Sequence, residues 1–339
     1  MITVEGKCNI KATVLADSIS PQGVRFLTFE LEYPRIILAE VNTHRMLSKN
    51  SFSSRAVPFA KMVEQLNGKP VRFGANQAGM QDKGEDFDAP VKGTWGSAPI
   101  PPEVAWDDYK DQSVRAAKAF YEAGYHKQVY NRLMEPFQMQ KTIISGTEWD
   151  NFFWLRDDKA ADPTIAELAR VMREAKGESV PHLLKAGQWH LPYVDCMWLG
   201  DEQNFYLKAE EPATEDGMGL ATPLTLEQAI KVSCARCAAV SYRNEGYGLE
   251  KSLELYDRLV GSEKKHASAL EHCATPMQET QIIIREGTSV NVLDDPNTWE
   301  PGITHIDRKD NLWSGNLRGF IQYRKLIKGE NYEKEDAGV

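Results

Sequence analysis

Long apolar runs are missing from this 339-residue chain. No stretch approaches the roughly eighteen apolar residues of a membrane span, and Met1 to Lys11 lacks the apolar segment of a secretory leader. The expectation is a cytoplasmic protein with no membrane partner. An excess of positive charge is missing too, because 40 Lys and Arg face 49 Asp and Glu, a net charge of −9. That argues against a general nucleic-acid or anionic-lipid surface. Any anionic ligand must be gripped locally by a few placed cations. The five cysteines, Cys8, Cys196, Cys234, Cys237 and Cys273, are an odd number in a sequence of cytosolic character, which argues against a disulfide framework. Cys234 and Cys237 form a C-x-x-C pair, yet no second such pair and no H-x-x-x-H completes a metal site. They sit in an Ala-rich, helix-like run and read as small buried packing residues, with no metal expected.

What is present is a polar cassette from Thr43 to Pro58, reading Thr-His-Arg-Met-Leu-Ser-Lys-Asn-Ser-Phe-Ser-Ser-Arg-Ala-Val-Pro. It follows a strand-like run, Val24 to Asn42, rich in β-branched and aromatic residues around Pro34. One imidazole, two guanidiniums, four Ser hydroxyls, a Thr hydroxyl and an Asn amide are a poor recipe for a core. They suit the gripping of phosphate and a polar ring; a solvated strand-to-helix loop is the alternative that composition leaves open.

Around the cassette the pattern alternates. Residues 1 to 42 read as strands with a turn near Ser18 to Gly23, and Phe59 to Leu66 as a short helix. Asn67 to Pro102 has no periodicity and reads as a surface insertion or a loop that closes over a ligand. Helical spacing runs from about Pro102 to Arg132 with a break at Gly124, and Pro136 ends it. A further helical stretch carries Phe152 and Phe153 and delivers Arg156 to a junction. Pro163 and Thr164 with Glu167 form a capping-box pattern for the next helix, with Gly177 as its C-cap. Thr225 to Gln228 opens another helix, running to about Ser241, and Leu249 to Val260 is amphipathic. The acidic stretch Glu210 to Gly219 reads as a flexible boundary, and the acidic tail as frayed.

These residues together resemble the flavin-dependent thymidylate synthases. That family's signature is Arg-His-Arg, seven residues, then Ser; here His44 and Arg45 match its second and third positions, Ser48 and Asn50 match inside it, and Ser53 falls at the required spacing with Arg55 two later. Asn131-Arg132-Leu133-Met134-Glu135-Pro136 is similar to the family's Ala-Arg-x-x-Leu-Pro helix end, and Asn151-Phe152-Phe153-Trp154-Leu155-Arg156 to its Asn-x-x-x-Leu-Arg segment. Ala238-Ala239-Val240-Ser241-Tyr242 and His266 to His272 resemble segments that precede the signature in ordinary members but follow it here by about two hundred residues. The order is rearranged by permutation or partial duplication, and Arg318 to Arg324, which resembles the lead-in to the signature, favours duplication.

The resemblance implies an α+β fold, a β-sheet flanked by helices, in two intertwined regions, 1–222 and 223–339, assembled as a homotetramer with active sites between subunits. It implies reductive methylation of dUMP at C5 to dTMP, with FAD reduced by NADPH and with methylenetetrahydrofolate as carbon donor. His44, Arg45, Asn50, Asn151 and His272 would hold the flavin; Ser53, Arg55, Arg132, Arg156 and Glu40 would bind the nucleotide. Ser53 and Arg156 are the catalytic candidates, Arg156 by stabilising negative charge on the uracil ring, an effect worth ~3 kcal/mol by analogy with oxyanion-hole donors. The chain departs from the family at Thr43 and Ala239 (Arg in the family), Ser51 (Glu), Ala56 (Tyr) and Glu40 (usually Gln). These departures leave open another pyrimidine C5 modification, such as hydroxymethylation or a dCMP or UMP substrate, and an inactive nucleotide-binding paralogue.

Overall fold

The computed structural model describes residues 1–79, 81, 84–92, 98–207, 221–243, 246–278, 282–285, 288–291, 293 and 295–331. The chain is α+β. A central sheet contains β1 (Ile2–Glu5), β2 (Lys11–Ile19), β3 (Arg25–Pro34), β4 (Ser48–Ser51), β5 (Met139–Gly146) and β6 (His182–Leu183). Their spatial order is β1-β2-β3-β5-β4, all antiparallel, with β6 parallel to the end of β2. The helices are α1 (Leu38–Asn42), α2 (Phe59–Val63), α3 (Pro102–Glu122), α4 (Lys127–Tyr130), α5 (Asp150–Arg156), α6 (Pro163–Glu178), α7 (Leu226–Ala239) and α8 (Leu249–Val260). No helix among the described residues is long and apolar enough to cross a membrane.

Alternation along the strands divides the core into two layers. Leu27, Phe29, Leu31 and Tyr33 of β3 join Val4, Ala12 and Val14 on one face, and Ile165, Leu168, Val171, Met172 and Ala175 of α6 cover them with Phe152 and Phe153 of α5. On the other side Ile143 of β5 belongs to a second core with α7 and α8. The small residues of α7, including Ser233, Ala235 and Ala238, are buried there, as the sequence suggested for close packing. Cys234 and Cys237 are buried as expected, with Cys234 Sγ 3.6 Å from Cys273 Sγ, and burial pushes the Cys234 and Cys237 thiols up, so they stay protonated and inert.

The capping box of α7 is present in both halves: Gln228 N donates to Thr225 Oγ1 at 3.2 Å and Thr225 N to Gln228 Oε1 at 2.9 Å. Three local expectations are corrected. β3 stops at Pro34 instead of continuing to Asn42, because Arg35 is drawn sideways: its N donates to Gln138 O and its guanidinium pairs with Glu135 at 3.1 Å, turning the chain into a 3-10 turn and then α1. α6 is capped by Asp162, whose carboxylate accepts from Thr164 N at 2.8 Å, while Glu167 accepts from Lys7 N; Gly177 lies inside this helix, which ends at Glu178. Gly124, at φ +84°, breaks the helical run as expected, but Pro136 sits within a following 3-10 stretch, Asn131–Phe137, and does not terminate it.

The segment from Asn67 to Pro102 is tied to the body of the protein at its start, while its described residues from Gly74 onward are mostly exposed, in keeping with a surface insertion. Gly68 N donates to Phe137 O at 2.8 Å, Trp106 Nε1 donates to Gly68 O at 3.0 Å, and Val71 packs against the first core. The Glu210–Gly219 boundary and the acidic terminus at 332–339 lie outside the described residues. A Cβ on Gly68 would sit 2.4 Å from the backbone oxygen of Gln138, which cannot swing away as a side chain would. Gly68→Ala is therefore expected to lower unfolding stability by about 1–3 kcal/mol, the usual range for overpacking. Urea denaturation at unchanged m-value measures this, and an unchanged midpoint would refute the backbone contact.

Candidate functional site

The cassette begins where α1 ends. Thr43 Oγ1 donates to Glu40 O at 2.6 Å, and the Lys49 ammonium donates to both His44 O, at 2.5 Å, and Leu47 O, at 2.8 Å, fastening the turn between α1 and β4. Gly146 lies beneath it: a Cβ there would be 2.4 Å from Leu47 Cδ2, so the bare backbone lets Leu47 descend against the sheet.

This turn meets α5 across a cavity of about 500 Å³ whose walls include His44, Arg45, Glu148, Asn151, Leu155 and Arg156. Arg156 Nε donates to His44 Nε2 at 2.9 Å and Nη2 to Thr43 Oγ1 at 3.2 Å, joining segments 112 residues apart. Because Nε2 accepts, the neutral imidazole carries its proton on Nδ1. Burial, then the charges of Arg156 and Lys49, push the His44 pKa down to about 4, consistent with that neutral form. Asp157, next to Arg156 in the chain, pairs with Arg173 at 2.8 Å. The Arg45 side chain is exposed and makes no ion pair among the described residues.

The second half of the cassette opens on a different cavity, of about 530 Å³, lined by Asn50, Ser53 and Arg55 together with His126, Lys127, Gln128, Ser241, Tyr242, His266 and Ser268. Ser53 N donates to Ser241 O at 3.2 Å and Ser241 Oγ to Ser51 O at 3.3 Å, so the 1–222 and 223–339 regions build this cavity jointly. Its floor is apolar, from Ala238, Leu255, Leu259 and Ala269. A guanidinium, an ammonium and several hydroxyls above an apolar floor are suited to a phosphate attached to a flat or furanose ring.

The expected site residues thus fall into groups. His44, Arg45, Asn151 and Arg156 are brought together; Asn50, Ser53 and Arg55 are brought together elsewhere; the two cavities share no lining residue. Arg156 was expected beside Ser53 and Arg55 on the nucleotide, and within one chain it is not, because α5 projects from the opposite end of β5 to the strand end that faces Ser53. Arg132 is exposed and lines neither cavity; its neighbour Asn131 makes the tie to the cassette, donating from Nδ2 to Ser54 O at 2.8 Å and Val57 O at 3.0 Å. Glu40 also lines neither, although its Oε2 is buried with no partner among the described residues.

His272, expected at the flavin, has no exposed surface. It ends a buried chain of hydrogen bonds: Ser18 Oγ with His190 Nδ1 (2.9 Å), His190 Nε2 with Thr28 Oγ1 (2.8 Å), Thr28 Oγ1 with Ser145 Oγ (2.7 Å), and Ser145 Oγ with His272 Nδ1 (2.7 Å). Its Nε2 has no partner among the described residues. His126 and Gln128 were not singled out from the sequence, the only signal being the Gly124 break that precedes His126; Ser268 lies in the His266–His272 segment that the resemblance picked out. No family model matches the chain, and no curated protein does.

Burial pushes the His190 and His272 pKa values down to about 3, helped at His272 by the charge of Lys49, while protonating both rings together would add mutual repulsion. An unfolded His binds its proton near pH 6.5. Between about 6.5 and 3 the unfolded chain therefore holds more protons at these two sites, and their contribution to stability is lost as pH falls through that window. His190→Gln removes one of the two, so the slope of unfolding free energy against pH between pH 4 and 6 is expected to shrink by about 1.4 kcal/mol per pH unit. Denaturant titrations of both proteins across that range measure it; equal slopes would show that His190 is not held neutral.

Proposed function

We infer that the chain is a flavin-dependent thymidylate synthase that methylates dUMP at C5. The observation that carries this reading is the meeting of Thr43–Leu47 with Glu148–Arg156 around one cavity, with Arg156 Nε on His44 Nε2 at 2.9 Å. The residues that converge there are those picked out by the family resemblance, from two segments that sequence spacing alone does not connect.

The donor set fits a flavin. A volume of about 500 Å³, a guanidinium at Arg45 without an ion-pair partner among the described residues, the Asn151 amide and the Nδ1–H of His44 offer directed donors to a flat, polar, anionic cofactor. Bound FAD would supply hydride for the transferred one-carbon unit, with NADPH as reductant and methylenetetrahydrofolate as the carbon source. The protein's own contribution is orientation and charge. His44 and Thr43 hold the Arg156 guanidinium in a fixed plane, and a neutral His44 does so without adding a like charge. A guanidinium held this way stabilises negative charge spread over a uracil ring as its C5 becomes nucleophilic, with no reorganisation at the moment of reaction. Ser53, Arg55 and Lys127 grip the nucleotide phosphate in the second cavity. Since one chain keeps the two cavities apart, the reading entails a homotetramer in which one subunit's Arg156 cavity faces another's Ser53 cavity.

The purified protein is expected to be yellow, or to become so with FAD, and to convert dUMP to dTMP in preference to dCMP or UMP. Arg55→Ala should weaken dUMP binding while flavin stays bound, and Arg156→Ala should lower turnover by about 10²–10³. Flavin-loaded protein that leaves dUMP unchanged but modifies dCMP or UMP would replace the substrate. Colourless protein that cannot be reconstituted would overturn the reading.

A further inference from the structure

The geometry points to a second anion subsite beside the His44–Arg156 cavity, formed by C-terminal hairpins and taking the polyanionic tail of a ligand whose other end enters that cavity. It rests on the reading of that cavity as the coenzyme site. Three short strands, His305–Ile306, Leu312–Ser314 and Leu317–Arg318, form a small antiparallel sheet. A cavity of about 590 Å³ opens along it, lined by Asp307, Arg308, Lys309, Asn311, Trp313 and Arg318, and by Glu148. Glu148 also lines the His44–Arg156 cavity, so one side chain forms the wall between the two.

The acidic groups of this cavity are already engaged. The Asp307 carboxylate accepts from Lys309 N at 2.7 Å, Asn311 N at 3.0 Å, Asn311 Nδ2 at 2.9 Å and Trp313 Nε1 at 3.0 Å, and these bonds hold it well below the usual carboxylate range. Glu148 accepts from Arg318 Nε at 2.8 Å. Arg308 and Lys309, at the hairpin tip that Asp307 organises, are exposed and make no ion pair among the described residues. In a chain of net charge −9, this lining is a local exception, with three cations, Arg308, Lys309 and Arg318, against two carboxylates, Asp307 and Glu148.

A second observation ties this module to the site. At the turn between Leu312–Ser314 and Leu317–Arg318, Asn316 Nδ2 donates to Met46 O at 3.1 Å and to Ser48 Oγ at 3.0 Å, while Arg318 N donates to Thr147 Oγ1 at 3.2 Å. The hairpin is thus clamped to the cassette and to the residues that lead into α5. A ligand crossing the Glu148 wall places its head near Arg45 and Arg156 and its tail near Arg308 and Lys309.

Two tails share the required chemistry: the phosphates of a dinucleotide and the oligoglutamate of a folate. The test is equilibrium binding of NADPH, NADH, pentaglutamyl tetrahydrofolate and monoglutamyl tetrahydrofolate to the wild-type full chain and to the Arg308→Ala/Lys309→Ala double variant. Both substitutions lie at an exposed tip and leave the Asp307 bonds in place. The expected result is a loss of affinity of about ten-fold for at least one polyanionic ligand, with monoglutamyl tetrahydrofolate unaffected. Loss confined to the dinucleotides assigns phosphate; loss confined to the pentaglutamyl ligand assigns the glutamyl tail. No change, uniform loss across all four, or no binding by the wild type overturns the subsite. Because the readout is binding, a chain that converts dUMP but fails this test loses only the subsite, and one that passes but leaves dUMP untouched loses only the thymidylate synthase reading.

Discussion

A guanidinium can rest on an imidazole nitrogen only if that nitrogen has a lone pair to give. The bond from Arg156 to His44 therefore requires a neutral His44, and the surroundings secure it: the ring is largely buried, its edge packs on Phe152 at 4.8 Å, and two cations stand nearby. Protonation would set two positive groups 2.9 Å apart in a poorly solvated place. The position of α5 relative to the cassette hangs on this contact. Arg156 makes no ion pair among the described residues, and its neighbour Asp157 pairs with Arg173. A cation held by neutral acceptors keeps its field for a ligand; one in a salt bridge would spend much of it internally.

Beneath the cassette, the sheet carries a second polar constraint. Thr28 and Ser145 face each other across β3 and β5, and each reaches a histidine: His190 on one side, His272 on the other. With both rings neutral, the proton positions are linked along the whole chain. If Ser145 donates to His272 Nδ1, then Thr28 donates to Ser145, His190 Nε2 donates to Thr28, and Ser18 donates to His190 Nδ1. His272 Nε2 then carries a hydrogen. The reverse orientation leaves Nε2 a bare lone pair. Two arrangements of equal bond count differ in what that unpartnered nitrogen offers and in whether Ser18 donates or accepts. Buried polar networks of this kind are costly when half satisfied, so the pairing of β3 with β5 is fixed by polar as well as apolar register.

Much of this was legible in the sequence where the signal is local. The α7 capping box, the extent of α8, the Gly124 break and the buried role of Cys234 and Cys237 follow from patterns a few residues long. The cassette was legible as a polar unit, and the grouping of its first half with Asn151 followed from resemblance, whereas Arg156 was expected beside Ser53 and Arg55 and lies instead on His44. What was hidden depends on partners far along the chain. β-branched Ile36 and Ile37 favour strand, yet Arg35 is captured by Glu135 and Gln138, and the strand ends. Arg132 and Asn131 look equally able to reach the cassette; rotation of the 3-10 stretch buries Asn131 and exposes Arg132. His272 carries a family-like motif, but no periodicity reveals that a serine on β5 will claim its Nδ1.

The separation of the two cavities then has a structural reason. Both borrow from one cassette, but β4 runs between its halves and pairs with β5, from Ser48 opposite Ser145 to Ser51 opposite Thr142. At ~3.4 Å per residue, four strand residues carry the chain about 10 Å. His44 and Arg45 emerge before that strand and Ser53 and Arg55 after it, so the sheet spaces the two groups as rigidly as it spaces its own ladder. No rotamer change closes such a gap. A ligand at the first half therefore meets the second half only across that strand, and the cavity at the first half is free to continue in another direction. The direction the fold provides is across Glu148, where the C-terminal hairpin is bonded to the same cassette turn.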